Sequence, residues 1–432
     1  MLDIFRITDA QSMTADLLSD YITRNDVAAA TRYSRLHAAY EGDYPVYHQP
    51  AKPAWKPDNR LGVNFARYIV ETFEGFFMGI PVKVTAEDKE LSEYVNYLDS
   101  YNLQDDQNAE LSRIVSIYGR GYEIYYIDEN GEICTAVLDP MESFMIYSDS
   151  IKPRPRYFVR TYTGADGVRR GSISDETTVR YFEYNPELQF LPEEKSHGFS
   201  GVPATEYTMN RSRRGIFEDV LPLIDSYNRA LSEKADDVDY FSDAYLKVLG
   251  TKIDKDTANF MRSNRIINLD GDCSGIVVDF LQKPSGDDTQ EHLLDRLERQ
   301  IFSIAMVCNI SDEQFATSSG IALRYKLLPM INLASTKEMK FRGCLMQRYR
   351  TIFSNPLSQA LPDSWTGLQF TFTRNLPADL LDEAETAGKL AGITSRKTQL
   401  SVLSMVDDVD REIAQIEAED TEVTDEPLRI TE

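Results

Sequence analysis

Four aspartates, Asp236, Asp237, Asp239 and Asp243, crowd one short stretch, and residues three and four apart share a helix face, so 236, 239 and 243 would line up. Carboxylates grouped this way can clamp a phosphoryl group through two metal ions. The enzyme alternative is therefore a metal-dependent nuclease or phosphatase using the acidic face near Asp239. A solvated helix surface carries the same pattern without chemistry, and it is the better fit among neighbours such as Glu233 and Lys234. The histidines, His37, His48, His197 and His292, make no metal-ligand spacing and stand beside no nucleophile motif. The glycines form neither GxGxxG nor a P-loop, so nucleotide binding has no sequence support. Cys134, Cys273, Cys308 and Cys344 are far apart and make no CxxC pair, which argues against a zinc site or a disulfide framework and for reducing surroundings. No catalytic residue, metal or cofactor is expected. The basic run Arg211-Ser212-Arg213-Arg214 could meet phosphate, but in an acidic chain it fits a subunit or domain contact better.

The elements that would position such residues need more than one core, since 432 residues exceed an ordinary domain. With 70 acidic against 46 basic residues the net charge is -24, which argues against a surface that grips DNA or anionic lipid by neutralising phosphates. The first residues lack a basic start followed by an apolar core, and no stretch approaches the roughly eighteen apolar residues of a membrane span. A soluble, unexported chain is expected.

Periodicity predicts a helix over 8–40, another over 64–78 with Phe65, Ile69, Phe73 and Phe76 on one side, and further helices near 88–100 and 105–118. The pattern then turns extended: 122–127, a turn at Asp128-Glu129-Asn130-Gly131, and 133–138 read as a hairpin, and 156–162 and 179–184 as further strands. This is an α+β half with a mostly antiparallel sheet. From about Asp219 a long helix carries Phe217, Val220, Leu221, Ile224, Tyr227, Asn228, Leu231, Val238, Phe241, Tyr245 and Leu246 along one seam. A small α/β piece follows, with a helix over 255–262 and strands over 265–269 and 275–281. Asp288-Thr289-Gln290-Glu291 has capping-box spacing and opens a helix to about Cys308. After an irregular loop over 309–319, a helix over 320–353 would be roughly 50 Å long at 1.5 Å per residue, kinked at Pro329. Residues 368–374 alternate like a strand. From Asp407 to Glu432 there are 11 acidic and 2 basic residues, a composition that predicts a disordered tail.

Several blocks together resemble the portal proteins of siphophages, whose subunits form head-to-tail connectors. They are Asn59-Arg60-Leu61-Gly62-Val63-Asn64-Phe65-Ala66 through Gly79-Ile80-Pro81-Val82, Leu223-Ile224-Asp225-Ser226-Tyr227-Asn228 through Asp243-Ala244-Tyr245-Leu246, and Leu293-Leu294-Asp295-Arg296-Leu297-Glu298. Ser318-Ser319-Gly320-Ile321-Ala322-Leu323-Arg324-Tyr325-Lys326 and Phe372-Thr373-Arg374-Asn375-Leu376-Pro377 complete the set, whose order and spacing span about 1–380. Two departures stand out: Pro329 interrupts a helix the family keeps long, and the region after 380 is short for a crown.

The resemblance implies a phage portal fold: an α/β wing (1–217 and 320–380, with a long kinked helix), two stem helices (218–246 and 288–308), a small α/β clip (247–287), a tunnel loop (309–319) and a reduced crown with an acidic tail (381–432). It implies a structural subunit and no enzyme; the alternative within the structural class is another phage protein, a tail or baseplate component. About twelve copies would form a ring for DNA packaging and ejection at one capsid vertex, assembled in the host cytoplasm, with no membrane involved. The implied partners are the terminase large subunit, the major capsid and scaffold proteins, head-tail adaptor proteins and double-stranded DNA. Asp312, Glu313, Gln314, Phe315, Thr317 and Ser318 would face DNA from the tunnel loop. That loop has no basic residue, so it would slide along phosphate rather than hold it. The plainer reading is a connecting loop, with Phe315 packed inward and Ser318 or Ser319 capping the next helix. Leu231, Val238, Phe241 and Tyr245 would hold the ring together along the first stem helix.

Overall fold

The computed structural model describes residues 4–8, 10–53, 56–184, 186–242, 246–249, 256, 277–280, 287–311, 320–375, 380–403, 406 and 409–424. The chain divides into two compact units, Met1–Thr373 and Arg374–Glu432.

In the larger unit, strand β1 (Phe5–Ile7) lies parallel to β5 (Ser143–Ser148) at the edge of a six-stranded sheet. The sheet continues antiparallel through β6 (Pro155–Thr163), β7 (Arg169–Ser174), β8 (Thr178–Tyr184) and β9 (Leu188–Ser196). Alternate residues Phe144, Ile146, Val159, Ile173 and Phe182 form one face and bury against Leu18, Tyr21 and Ile22 of helix α1 (Ala15–Ala28). The opposite face, through Met145 and Phe158, meets Tyr122 and Ala204 of a second sheet. That sheet holds β10 (Ala204–Thr208), β3 (Arg120–Ile127) and β4 (Ile133–Leu138) in that order. The expected β3–β4 hairpin is present, with Asp128 Oδ1 accepting the N–H groups of Asn130 and Glu132 at 2.9 Å each.

A helical layer covers the second sheet. Helix α3 (Phe65–Phe77), capped by Asn64 Oδ1 accepting from the Arg67 N–H at 3.0 Å, buries Phe65, Ile69, Phe73 and Phe76. It is joined by α4 (Lys89–Tyr101) and α5 (Gln104–Tyr118). The small pair β2 (Lys83–Ala86) and β13 (Leu368–Thr371) closes one side. Three long helices complete the unit: α6 (Leu221–Ser242), α7 (Asp287–Ala305) and α8 (Gly320–Phe353). Among the described residues no helix is long and apolar enough to cross a membrane.

The α+β class and most elements follow the apolar spacing, and four segments depart from it. Residues 8–40 are not one helix. Thr14 Oγ1 caps α1 at Leu17, a π-helical turn (Ala29–Tyr33) follows, and α2 (Ser34–Glu41) ends at Gly42 with φ 84°. The polar β7 and β9 carry too little apolar alternation to be read as strands in isolation; their neighbours' ladders select them. Leu246 opens a strand, β11 (Leu246–Leu249), rather than continuing α6, because Leu246, Val248 and Leu249 pair with Phe280, Val278 and Val277 of β12 (Val277–Phe280). The helix expected at 255–262, Asp256 apart, and the strand expected at 265–269 lie outside the described residues.

The smaller unit holds α9 (Leu380–Leu390), α10 (Arg396–Leu400), capped by Ser395, and α11 (Val409–Thr424). Most of the stretch expected to be disordered is therefore helical. Its acid count hid the placement of Val409, Ile413 and Ile416, which recur at four and three and give α11 a half-buried face.

Candidate functional site

Helices α6 and α7 run antiparallel, joined by the Lys234–Glu291 ion pair and by Gln290 Nε2 donating to Asp237 Oδ2 at 3.3 Å. Their base is wedged by α3, where Phe65 stands edge-on to Tyr227 (4.9 Å) and Phe302 (5.6 Å). Along α6 lies the extended segment 59–63, held by a regular set of bonds. The backbone N–H of Asn59 donates to Asp236 Oδ1 (2.6 Å), that of Leu61 to Ser232 Oγ (2.9 Å) and that of Val63 to Asn228 Oδ1 (2.8 Å). Every second residue of the strap thus meets every fourth residue of the helix, one face against one face. Asn59 Nδ2 also donates to Asp239 Oδ2 at 2.6 Å, and the Lys52 ammonium pairs with Asp236. At Gly62 a Cβ would stand 2.3 Å from Tyr47 Oη, so a larger residue there would have to displace the partly exposed Tyr47 ring.

These bonds account for the acidic face. Asp236 and Asp239 do share a side, but they hold the strap, while Asp237 reaches α7. The geometry gives the nuclease reading no support; among the described residues no three metal-ligating side chains converge. Of the expected ring residues, Leu231 is half-buried and Val238 is 61% exposed. The Phe241 side chain and Tyr245 lie outside the described residues, as do Asp312, Glu313, Gln314, Phe315, Thr317 and Ser318, and also Asp243. The seam is fully buried at Phe217, Val220 and Ile224 and uncovered by Val238.

The basic run is used inside the chain. Arg213, at φ 55°, makes a two-pronged pair with buried Glu206 at 2.8 Å on each oxygen, and Arg214 pairs with Asp219 at 2.7 Å. Burial alone would raise the Glu206 carboxyl; Arg213 and Arg120, with the Tyr147 hydroxyl, bring it below its ordinary value. The π-helical turn aims Arg32 at the same loop, onto Glu218 (2.7 Å) and the Arg213 carbonyl (2.8 Å). Gly119, at φ 82°, lets this loop approach; a Cβ there would lie 2.1 Å from the Arg213 oxygen.

Helix α8 is fixed by two ion pairs that spacing alone did not reveal. Its buried stripe, Met330, Ala334, Lys337, Phe341, Leu345, Arg348 and Ile352, contains two cations at core positions. Lys337 Nζ meets Glu74 Oε1 (2.5 Å), Ser116 Oγ (2.9 Å) and the Ser112 carbonyl (3.0 Å) beneath the Phe73 and Phe77 rings. Burial lowers the Lys337 ammonium despite Glu74. Arg348 Nε donates to Glu123 Oε2 (2.8 Å) and Nη2 to Asn108 Oδ1 (2.7 Å), while the Tyr207 and Tyr125 hydroxyls and Gln104 complete the Glu123 oxygens. A charged residue at a core position of an otherwise apolar stripe was the available signal.

Beside Arg348, Tyr349 Oη donates to both Asp99 oxygens at 2.8 and 3.0 Å. Burial pushes Asp99 from its ordinary 3.8 up to about 6, against the opposing pull of Arg348 and the Tyr349 bond. The folded chain therefore holds this proton more tightly than the unfolded chain, so the stabilisation is complete below about pH 4 and is lost as pH rises through 6. Asp99→Asn cannot titrate. Its melting temperature relative to the parent should rise by a few degrees between pH 4 and pH 7; parallel melting curves would show that Asp99 does not titrate in this window.

Residues 19–426 match the family model described as phage portal protein, SPP1 Gp6-like. The chain belongs to that family. The portal protein of Clostridium phage phiCD119 is 23% identical over 440 residues, covering 93% of this chain and 94% of its own. That of Bacillus phage SPP1 is 24% identical over 392 residues, covering 84% and 76%. Two solved structures are similar at lower identity: the neck of a native GTA particle computed with C12 symmetry (11% identity, TM-score 0.47, covering 87% of this chain and 93% of that one) and the neck of an empty GTA particle computed with C6 symmetry (10%, TM-score 0.43, 82% and 96%). In this portal protein, two of the sequence blocks that carry the resemblance touch: Asn59–Ala66 supplies the strap, and Leu223–Leu246 the helix it lies on.

Proposed function

We propose that this chain is the repeating subunit of a portal ring, the head-to-tail connector through which DNA is packaged and ejected. The carrying observation is the family match over residues 19–426. The long helices support a ring. Val238 on α6, Leu293 and Ile304 on α7, and Tyr325 and Leu328 on α8 are large apolar groups left exposed, and neighbouring copies in a closed head-to-tail ring of about twelve would cover such surfaces. The parts are then a wing over 1–217 and 320–380, a stem built on α6 and α7, a clip that takes in β11 and β12, a tunnel loop over 309–319, and a reduced crown over 381–432. Terminase, capsid, scaffold and adaptor proteins are the expected partners at one vertex of the virion.

The net charge of -24 suits a conduit. Each phosphate neutralised by protein strengthens binding and its salt dependence, so an acidic channel lets DNA slide. Negative-stain micrographs of the purified protein should show rings with a central hole. Leu231→Asp and Phe241→Asp should give monomers or aggregates instead. Normal rings from both variants would remove α6 from the contact between subunits, and a wild-type protein without rings would remove the portal reading.

A further inference from the structure

Between the two sheets lies a cavity of about 330 Å³. Strand register sets Arg160, Ser172 and Tyr181 in one row across β6, β7 and β8, with Ser174 one step along β7 on the same face. All four line the cavity, and no carboxylate does. The Arg160 guanidinium rests 5.1 Å from the Tyr162 ring, and its Nε is buried with no hydrogen-bond partner. Among the described residues it has no ion pair, and neither serine hydroxyl is spent on a neighbour. His197, across the cleft, adds an aromatic wall and no charge. Its Nε2 donates to the Asp175 carbonyl (3.2 Å) and its Nδ1 accepts from the Phe199 N–H (3.2 Å), which fixes the neutral ring, and burial lowers its affinity for a second proton.

In a chain with 24 more acids than bases, a guanidinium left without a carboxylate in a walled cleft is unusual. A buried donor without a partner is a standing penalty that an acceptor would remove, and the planar guanidinium matches a planar carboxylate. We propose that this inter-sheet cleft binds a carboxylate, with Arg160 as its counter-ion, Ser172 and Ser174 as hydroxyl donors, and the tyrosine and histidine rings flanking a small flat body. The carboxylate has two possible sources, a free small acid or an acidic side chain of an adjoining chain.

Calorimetric titration of the full-length protein with phenylacetate and with phenylacetamide, its uncharged counterpart, tests the site. The acid should bind at least tenfold more tightly, and Arg160→Gln should abolish that preference while leaving the melting temperature in place. In protein whose cleft holds no neighbour's carboxylate, equal binding of acid and amide by the wild-type chain, or an acid preference retained in Arg160→Gln, would overturn the assignment; the first comparison needs no variant. A density map of assembled rings identifies the source, and this arm alone rests on the ring reading. A neighbour's carboxylate within hydrogen-bond distance of Arg160 assigns the site to an acidic side chain, and an open cleft that takes phenylacetate assigns it to a free acid. A cleft that stays empty with phenylacetate present, and has no neighbouring carboxylate, refutes both.

Discussion

Lys337→Met should lower the unfolding free energy by about 3–5 kcal/mol, the usual cost of leaving one partner of a buried ion pair alone. Methionine fills the stem volume beneath Phe73 and Phe77, but Glu74 then keeps only the Ser112 and Ser116 hydroxyls. Removing both charges is a different matter, because an apolar pair avoids the cost of taking two ions out of water. Lys337→Met with Glu74→Leu should return to within about 1–2 kcal/mol of the parent, so the double-mutant cycle should show strong coupling. Denaturant unfolding of the four proteins measures it. A single variant costing under about 1 kcal/mol, or additive effects, would mean that the pair does not register α8 against α3 and α5.

Asp236→Ala should cost about 2–4 kcal/mol, since two bonds to a charged carboxylate are lost at about 1.5–3 kcal/mol each, with a discount for the partly exposed Lys52. The expected result is local as well as global: the strap should lift from α6 before the rest unfolds. Trypsin reads this directly. Lys52 and Lys56 each precede a proline, which blocks cleavage, so Arg60 is the tryptic position in the strap. Cutting after Arg60 should accelerate at least tenfold in Asp236→Ala and less in Asp236→Asn, which keeps one acceptor for the Asn59 N–H. Unchanged cutting in both variants would show that the strap is held by other contacts.

What could be read from the residues was whatever repeats locally. Phe65, Ile69, Phe73 and Phe76 announce α3, and Asp128 to Gly131 announces its hairpin, because each signal lies within a few residues. The ion pairs were hidden by separation: Glu74 and Lys337 are 263 positions apart, and Glu123 and Arg348 are 225. A core position held by a cation gives one half of the pair and no hint of the other. Asp236 and Asp239 illustrate the opposite error. Their shared face was visible, but its partner was a loop of prolines and lysines whose extended course no periodicity records. Strand β1 has three residues, too few to show a period, and exists through its ladder to β5.

The strap and its helix behave as a vernier. Two extended residues advance about 6.6 Å and four helical residues about 6.0 Å, so the two scales slip by about 0.6 Å per tooth. Three teeth, at 59, 61 and 63, stay within hydrogen-bond tolerance; a fourth would be about 1.8 Å out of step. The chain stops where the scales diverge. At one end the next donor position is Pro57, which has no N–H to offer; at the other, Asn64 turns the chain into α3. The match therefore sets an upper limit on its own length, and one residue added between Asn59 and Val63 would point alternate N–H groups away from α6, an error that no side-chain substitution could restore.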